Sequence, residues 1–214
     1  MEDHTLLCST VEDLLEVRFT DKQILVRALT HRSYLNEHTE VTHESNETLE
    51  FLGDAVLSYL VATELYQKAP DLSEGELTIA RAQLVNNNYL ATVANDLRLG
   101  EHLLLGQGVK KKGASPDLLA CALEAVIGGI WLDQGIDSAK NFVLTHFQDR
   151  LIEASVKGDR RDYKTRLQEL SQARWGIAPE YKTLEKTADV SSPIFIAEAM
   201  VSGKVLGTGS GFSK

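Results

Sequence analysis

Two cysteines in 214 residues, Cys8 and Cys121, are too few for a disulfide framework, and their spacing is not that of zinc ligands. So sparse a cysteine usage fits a reducing compartment. No run of about 18 apolar residues occurs, so no membrane-spanning helix is expected. Residues 1–10 have neither the basic start nor the apolar centre of a secretory leader. A cytoplasmic protein without a membrane partner is the expectation. What is present, 43% hydrophobic and 25% charged residues, is the composition of an ordinary globular chain. The length suits one or two domains.

The net charge of −9 argues at first against a nucleic-acid partner, but it is unevenly spread. Residues 156–214 hold ten Lys and Arg against seven Asp and Glu, a net +3, which leaves −12 for the remainder. A large acidic module joined to a small basic one suggests a division of labour. An acidic surface still approaches phosphates if divalent cations bridge the two. A merely solvated acidic surface has the same composition.

Apolar residues recur at three- and four-residue spacing across 14–15, 24–28, 49–65, 77–97, 118–132 and 139–152, which predicts helices. Breaks are expected at Pro70–Asp71, Gly100, 106–116 and Gly135. Ser73 and Glu76 form a capping-box pattern. The character changes at the polar stretch 157–161. A helix is expected over 163–174, then short strands over 180–186, 194–201 and 204–208, with a turn that resembles a helix start at 209–214.

The most informative segment is Asn46-Glu47-Thr48-Leu49-Glu50-Phe51-Leu52-Gly53-Asp54-Ala55-Val56-Leu57. At about 100° per residue, Glu47, Glu50 and Asp54 share roughly a third of a helix, opposite Leu49, Leu52 and Val56. Like charges so spaced repel, and a cation would relieve the repulsion. Hard oxygen donors suit Mg²⁺. The alternative is a solvated acidic face, and spacing alone leaves both readings open. Phe51 is a large apolar residue beside that face, which a partner subunit could bury. A second helix offers a matching face, 117, 121, 124 and 128, opposite Leu119, Leu123, Val126 and Ile130. There Glu124 is either a metal ligand or half of a helix-edge salt bridge. Gly128 and Gly129 would let a backbone or ligand come close.

Residues 46–57 resemble the ribonuclease III signature NERLEFLGDAVL, with Thr48 in place of Arg. Thr30-His31-Arg32-Ser33-Tyr34, Glu74-Gly75-Glu76-Leu77, Arg81-Ala82-x-Leu84-Val85 and Leu123-Glu124-Ala125-x-Ile127-Gly128-Gly129 fit the same family in its order. The resemblance implies an all-α endonuclease domain over 1–155, a linker at 156–161 and a small α+β double-stranded-RNA-binding domain over 162–214. That second domain is expected as a helix plus a three-stranded antiparallel sheet, with its final helix missing.

The family resemblance further implies a homodimeric endoribonuclease that uses Mg²⁺, with Mn²⁺ as a substitute. It implies cleavage of double-stranded RNA to 5′-phosphates and short 3′ overhangs, in the processing of ribosomal and other structured precursors. By the same resemblance Glu50, Asp54, Glu124 and the position of Cys121 are metal ligands. Asp54 and Glu124 orient the attacking water, Glu47 and Glu74 are supporting acidic residues, and Phe51 lies at the dimer interface. Gln168, Gln172 and Lys214 are implied contacts to RNA.

The chain departs from the family at further positions. Cys121 stands where the family has aspartate, and a thiol is a poor partner for Mg²⁺. Cys121 is therefore a weakened ligand or a small packing residue. Asp117, one turn earlier, is expected as a helix cap or as a stand-in for the lost carboxylate. Lys110–Lys112 lie in a shortened loop and are either solvated or within reach of phosphate. The loop at 188–191 lacks the family's GPxH pattern, so RNA binding is expected to be weaker. The alternative to an active nuclease is a dimeric binder of double-stranded RNA that does not cut.

Overall fold

The computed structural model describes residues 4–157, 163–186 and 194–211, in two compact units that divide at Gly158–Asp159. The first unit is helical: α1 (Thr5–Leu15), α2 (Lys22–Leu29), α3 (Arg32–Leu35), α4 (Glu47–Lys68), α5 (Glu74–Leu84), α6 (Asn87–Asp96), α7 (Gln107–Lys112), α8 (Pro116–Gln134) and α9 (Ile136–Lys157). Helix α9 thus extends two residues into the stretch expected as linker.

Helix α8 is apolar on nearly all sides because it runs through the middle of the unit. Every residue from Leu119 to Ile130 is buried except Cys121. Ser115 caps it by accepting a hydrogen bond from the Leu118 N–H, and Pro116 occupies the first turn, where its missing N–H costs nothing. Helix α4 buries Leu49, Gly53, Val56, Leu57, Leu60, Val61 and Leu65, one stripe at three- and four-residue spacing.

These two helices cross with their backbones in contact. A Cβ built on Gly53 would lie 1.7 Å from the Glu124 carbonyl oxygen, and one on Gly128 would lie 2.3 Å from that of Leu49. Glycine at both positions is therefore a condition of the crossing. Gly129 faces the other way, against Ile24, Phe19 and Ala28.

The start of α4 is fixed by backbone bonds rather than by a side-chain cap. Buried Asn46 donates its N–H to the Thr30 carbonyl at 2.9 Å and its side-chain amide to the Ala28 carbonyl at 3.4 Å. Thr30 and His31 in turn pair with Leu104. Arg27 reaches across from α2 to Glu44 and Thr48.

Two expectations are corrected. The periodic stretch 77–97 is two helices, because Asn86 stops α5 and caps α6, accepting from the Tyr89 N–H at 3.0 Å. Asparagine favours such caps over helix interiors, which a count of apolar positions overlooks. The expected break at 106–116 contains the short helix α7, which has no buried residue and so leaves no apolar pattern to read. The Ser73–Glu76 capping box forms as expected.

Glu64 of α4 is 4% exposed, and it joins α4 to α9 through Lys140 at 2.8 Å, with Lys68 at 3.1 Å. The hydrogen bond from Lys140, assisted by Lys68, holds its carboxyl below the usual range against the opposing effect of burial. A carboxylate depressed on folding stabilises at neutral pH, and the contribution fades as pH falls through the folded-state value. Glu64→Gln is expected to cost about 1–3 kcal/mol at pH 7, because both lysines keep access to water. Urea melts of both proteins at pH 7 and pH 3 check this. The gap between them should narrow in acid.

The second unit has α10 (Tyr163–Trp175) and an antiparallel sheet in the order β1 (Glu180–Lys186), β2 (Ile194–Val201), β3 (Lys204–Gly211). Ser202 and Gly203 both have positive φ, the geometry of a two-residue hairpin loop, and they set the pairing of Val201 with Lys204. Residues 209–211, expected as a turn, continue β3 and pair with 195–197. Their glycines disguised an edge strand. Buried Ser171 donates to the Ile177 carbonyl and fastens the turn that follows α10.

Candidate active site

The glycine crossing decides which side chains meet. Gly53 sits one turn from Glu50 and next to Asp54, and Gly128 sits one turn after Glu124. Backbone contact at these points brings Glu50 and Asp54 of α4 within electrostatic reach of Glu124 on α8. Glu124 is 9% exposed, whereas Glu50 is half-buried and Asp54 exposed. Burial, reinforced by Asp54 and then Glu50, pushes the Glu124 carboxyl up to about 7. The expected alternative of a helix-edge salt bridge is not realised, because among the described residues no cation pairs with Glu124.

Cys121 is the one partly open residue in this stretch of α8. Its thiol donates toward Glu50. Burial, that hydrogen bond, and the charges of Glu50, Glu124 and Asp117 push it up to about 12. A thiol held so high is protonated at neutral pH and is a poor partner for a hard cation. Among the described residues, no three His, Cys, Asp or Glu side chains converge into a ready-made metal cage. An ion held there would complete its shell with water, as Mg²⁺ does.

The other sequence-derived candidates lie as follows. Glu47 is exposed at the first turn of α4, paired with Arg32 at 3.2 Å and accepting from the Ser45 hydroxyl at 3.0 Å. Glu74 is exposed at the start of α5 and accepts from Thr78 at 3.1 Å. Phe51 is 80% exposed, and Tyr59 and Tyr66 are also exposed along α4. Gln168 and Gln172 are exposed one turn apart on α10. Lys214 and the 188–191 loop lie outside the described residues.

Asp117 does not cap α8, since Ser115 does. It is exposed and accepts from the Asn87 side chain at 3.0 Å. Lys110–Lys112 are exposed on α7.

Sequence reasoning passed over Gly53, Arg32 and Asn87. A signal for Gly53 existed. A glycine inside a long helix costs about 1 kcal/mol relative to alanine, so its presence implies a close approach. Arg32 and Asn87 carry no such mark, because their partners are remote in sequence.

Two carboxylate-bearing helices crossing at glycines, followed by a helix-and-sheet module, define a helical nuclease domain joined to a small RNA-binding domain. Comparison with known proteins agrees with that class. Residues 21–151 match the Ribonuclease-III-like family model, and residues 163–214 match the double-stranded RNA binding motif. Ribonuclease 3 of Syntrophobacter fumaroxidans is 42% identical over 212 residues, covering 95% of this chain and 87% of that protein. Ribonuclease 3 of Dehalococcoides mccartyi is 40% identical over 206 residues with the same coverage. The nuclease domain of the Campylobacter jejuni ribonuclease III superposes with a TM-score of 0.61 at 38% identity, over 66% of this chain and 96% of that one. The chain belongs to the ribonuclease III family and is an endoribonuclease. No described helix is long and apolar enough to cross a membrane.

Proposed function

We propose that the chain hydrolyses phosphodiester bonds of double-stranded RNA with a divalent cation, Mg²⁺ or Mn²⁺, leaving 5′-phosphates and short 3′ overhangs. In this reading residues 1–155 cut and residues 162–214 hold the duplex, on the way to processed ribosomal, messenger and transfer RNA. The observation that carries it is Glu124, a buried carboxylate without a cation partner among the described residues and within electrostatic reach of Asp54 and Glu50. Such a group stays charged only with positive charge beside it.

The donor set fits the ion. Three carboxylates are hard ligands, and their mutual repulsion is what a divalent cation removes. When bound, the cation supplies a water that ionises near neutral pH and charge to offset the attacked phosphate. Glu50, Asp54 and Glu124 hold it. Asp54 and Glu124 also orient the attacking water. Arg32 and Ser45 fix Glu47 at the entry of α4, and Glu74 stands as a second supporting carboxylate. In the second unit, Gln168 and Gln172 meet the minor groove, where shape and 2′-hydroxyls are read.

One observation favours a duplex binder that does not cut: the neutral Cys121 thiol, hydrogen-bonded to Glu50, where the family has aspartate. Labelling of product ends separates the two readings. Fragments that accept a 3′ label and carry a 5′-phosphate support hydrolysis. A gel shift with intact RNA supports the binder.

The exposed Phe51, with Tyr59 and Tyr66 on the same helix, supports a homodimer joined across α4. A solved relative from Campylobacter jejuni has a region described as involved in dimer formation. Phe51→Glu is expected to halve the sedimenting mass at micromolar concentration while leaving the helical content unchanged. Wild-type sedimentation of the variant would put the interface elsewhere.

A further inference from the structure

We infer that Asp117 serves the metal site from one turn upstream, replacing through water the carboxylate that Cys121 does not provide. This rests on the metal reading above and adds to it a residue outside the family's ligand set.

Asp117 and Cys121 lie four residues apart on the same face of α8, about 6 Å along the helix axis. That separation suits contact through the waters that Mg²⁺ retains better than direct ligation. Ser115 caps the helix, and among the described residues no cation pairs with Asp117. Its one side-chain hydrogen bond comes from Asn87 at 3.0 Å, a neutral donor that fixes the carboxylate without cancelling its charge.

A second feature, independent of Asp117, points to a cation. Glu124, nine-tenths buried and without a cation partner among the described residues, lies within electrostatic reach of Asp54 and Glu50, whose helix meets its own at the glycine crossing. Cys121, half-buried on the same face of α8, offers a soft sulfur rather than a hard carboxylate oxygen. Asp117 returns to that face the charge that cysteine leaves out.

A purely structural Asp117, favourable at a helix N-terminus, would act regardless of residue 121. A role toward the metal would not. The test is Mn²⁺ binding to RNA-free protein, followed by calorimetry and by the electron paramagnetic resonance of free Mn²⁺. The proteins are wild type, Asp117→Asn, Cys121→Asp and the double variant, with thermal melts to confirm folding. Asp117→Asn should weaken binding about 10-fold in the wild-type background, the size of a change among groups that orient ligands. With aspartate at 121 the same change should be below twofold. Asp117→Ser repeats the comparison with a different neutral side chain.

Equal losses in both backgrounds, or no loss in either, would overturn the inference while leaving the metal reading intact. Failure of all four proteins to bind Mn²⁺ would overturn both.

Discussion

Glu124→Gln should reduce cleavage of double-stranded RNA by about 10³-fold or more while sparing RNA binding and sedimentation. The substitution keeps size and shape and removes one formal charge. In the unsubstituted protein that charge is unfavourable by itself, because Glu124 is buried beside Asp54 and Glu50. A fold that retains such an arrangement needs something to offset it, and a divalent ion is the largest local charge available. Two opposite effects follow from its removal. Without metal, the amide relieves repulsion, so the variant should melt no lower than wild type and is expected to melt higher. With metal and RNA, loss of a carboxylate that holds the ion costs several kcal/mol of transition-state stabilisation, hence the thousandfold scale. Single-turnover cleavage, with a mobility shift and a thermal melt, separates these effects. Undiminished turnover would refute the assignment of Glu124.

Gly53→Ala should prevent stable folding of the first unit, at a cost above about 4 kcal/mol. The added methyl would lie 1.7 Å from the Glu124 carbonyl oxygen and 2.5 Å from its carbonyl carbon. Both are backbone atoms of the central helix, so no rotamer change makes room, and α4 and α8 must separate. Helix propensity acts the other way and favours alanine by only about 1 kcal/mol, so the clash wins. Gly75→Ala is the contrasting case, because a Cβ there meets nothing within 4 Å. Guanidinium unfolding of the two variants should show one severely destabilised and one near wild type. If Gly53→Ala unfolds like wild type, the helices do not cross in backbone contact.

These two residues show how far the sequence could be read. The carboxylates were legible because helical spacing put Glu47, Glu50 and Asp54 on one face, and the long signature named the family. The buried stripe of α4 and the apolar surround of α8 follow from periodicity alone. Gly53 was legible only as an anomaly, since its reason lies 71 positions away at Glu124, on another helix. Asp117 was misread as a helix cap because Ser115, two residues earlier, competes for the same N–H groups with a better geometry. The boundary between α5 and α6 was hidden because apolar residues continue across Asn86 in nearly helical register. The glycines of 209–211 read as a turn because a strand on the edge of a sheet needs few side chains to hold it.

In the proposed function, carboxylates from α4 and α8 hold a divalent cation that cuts double-stranded RNA. The most direct measurement incubates the purified chain with long double-stranded RNA in EDTA, in Mg²⁺ and in Mn²⁺, and sizes the products on a denaturing gel. The account predicts intact RNA in EDTA and short fragments in at least one metal, with the fragments lost in Glu124→Gln. Intact RNA in both metals, from protein that still shifts the duplex on a native gel, would contradict it.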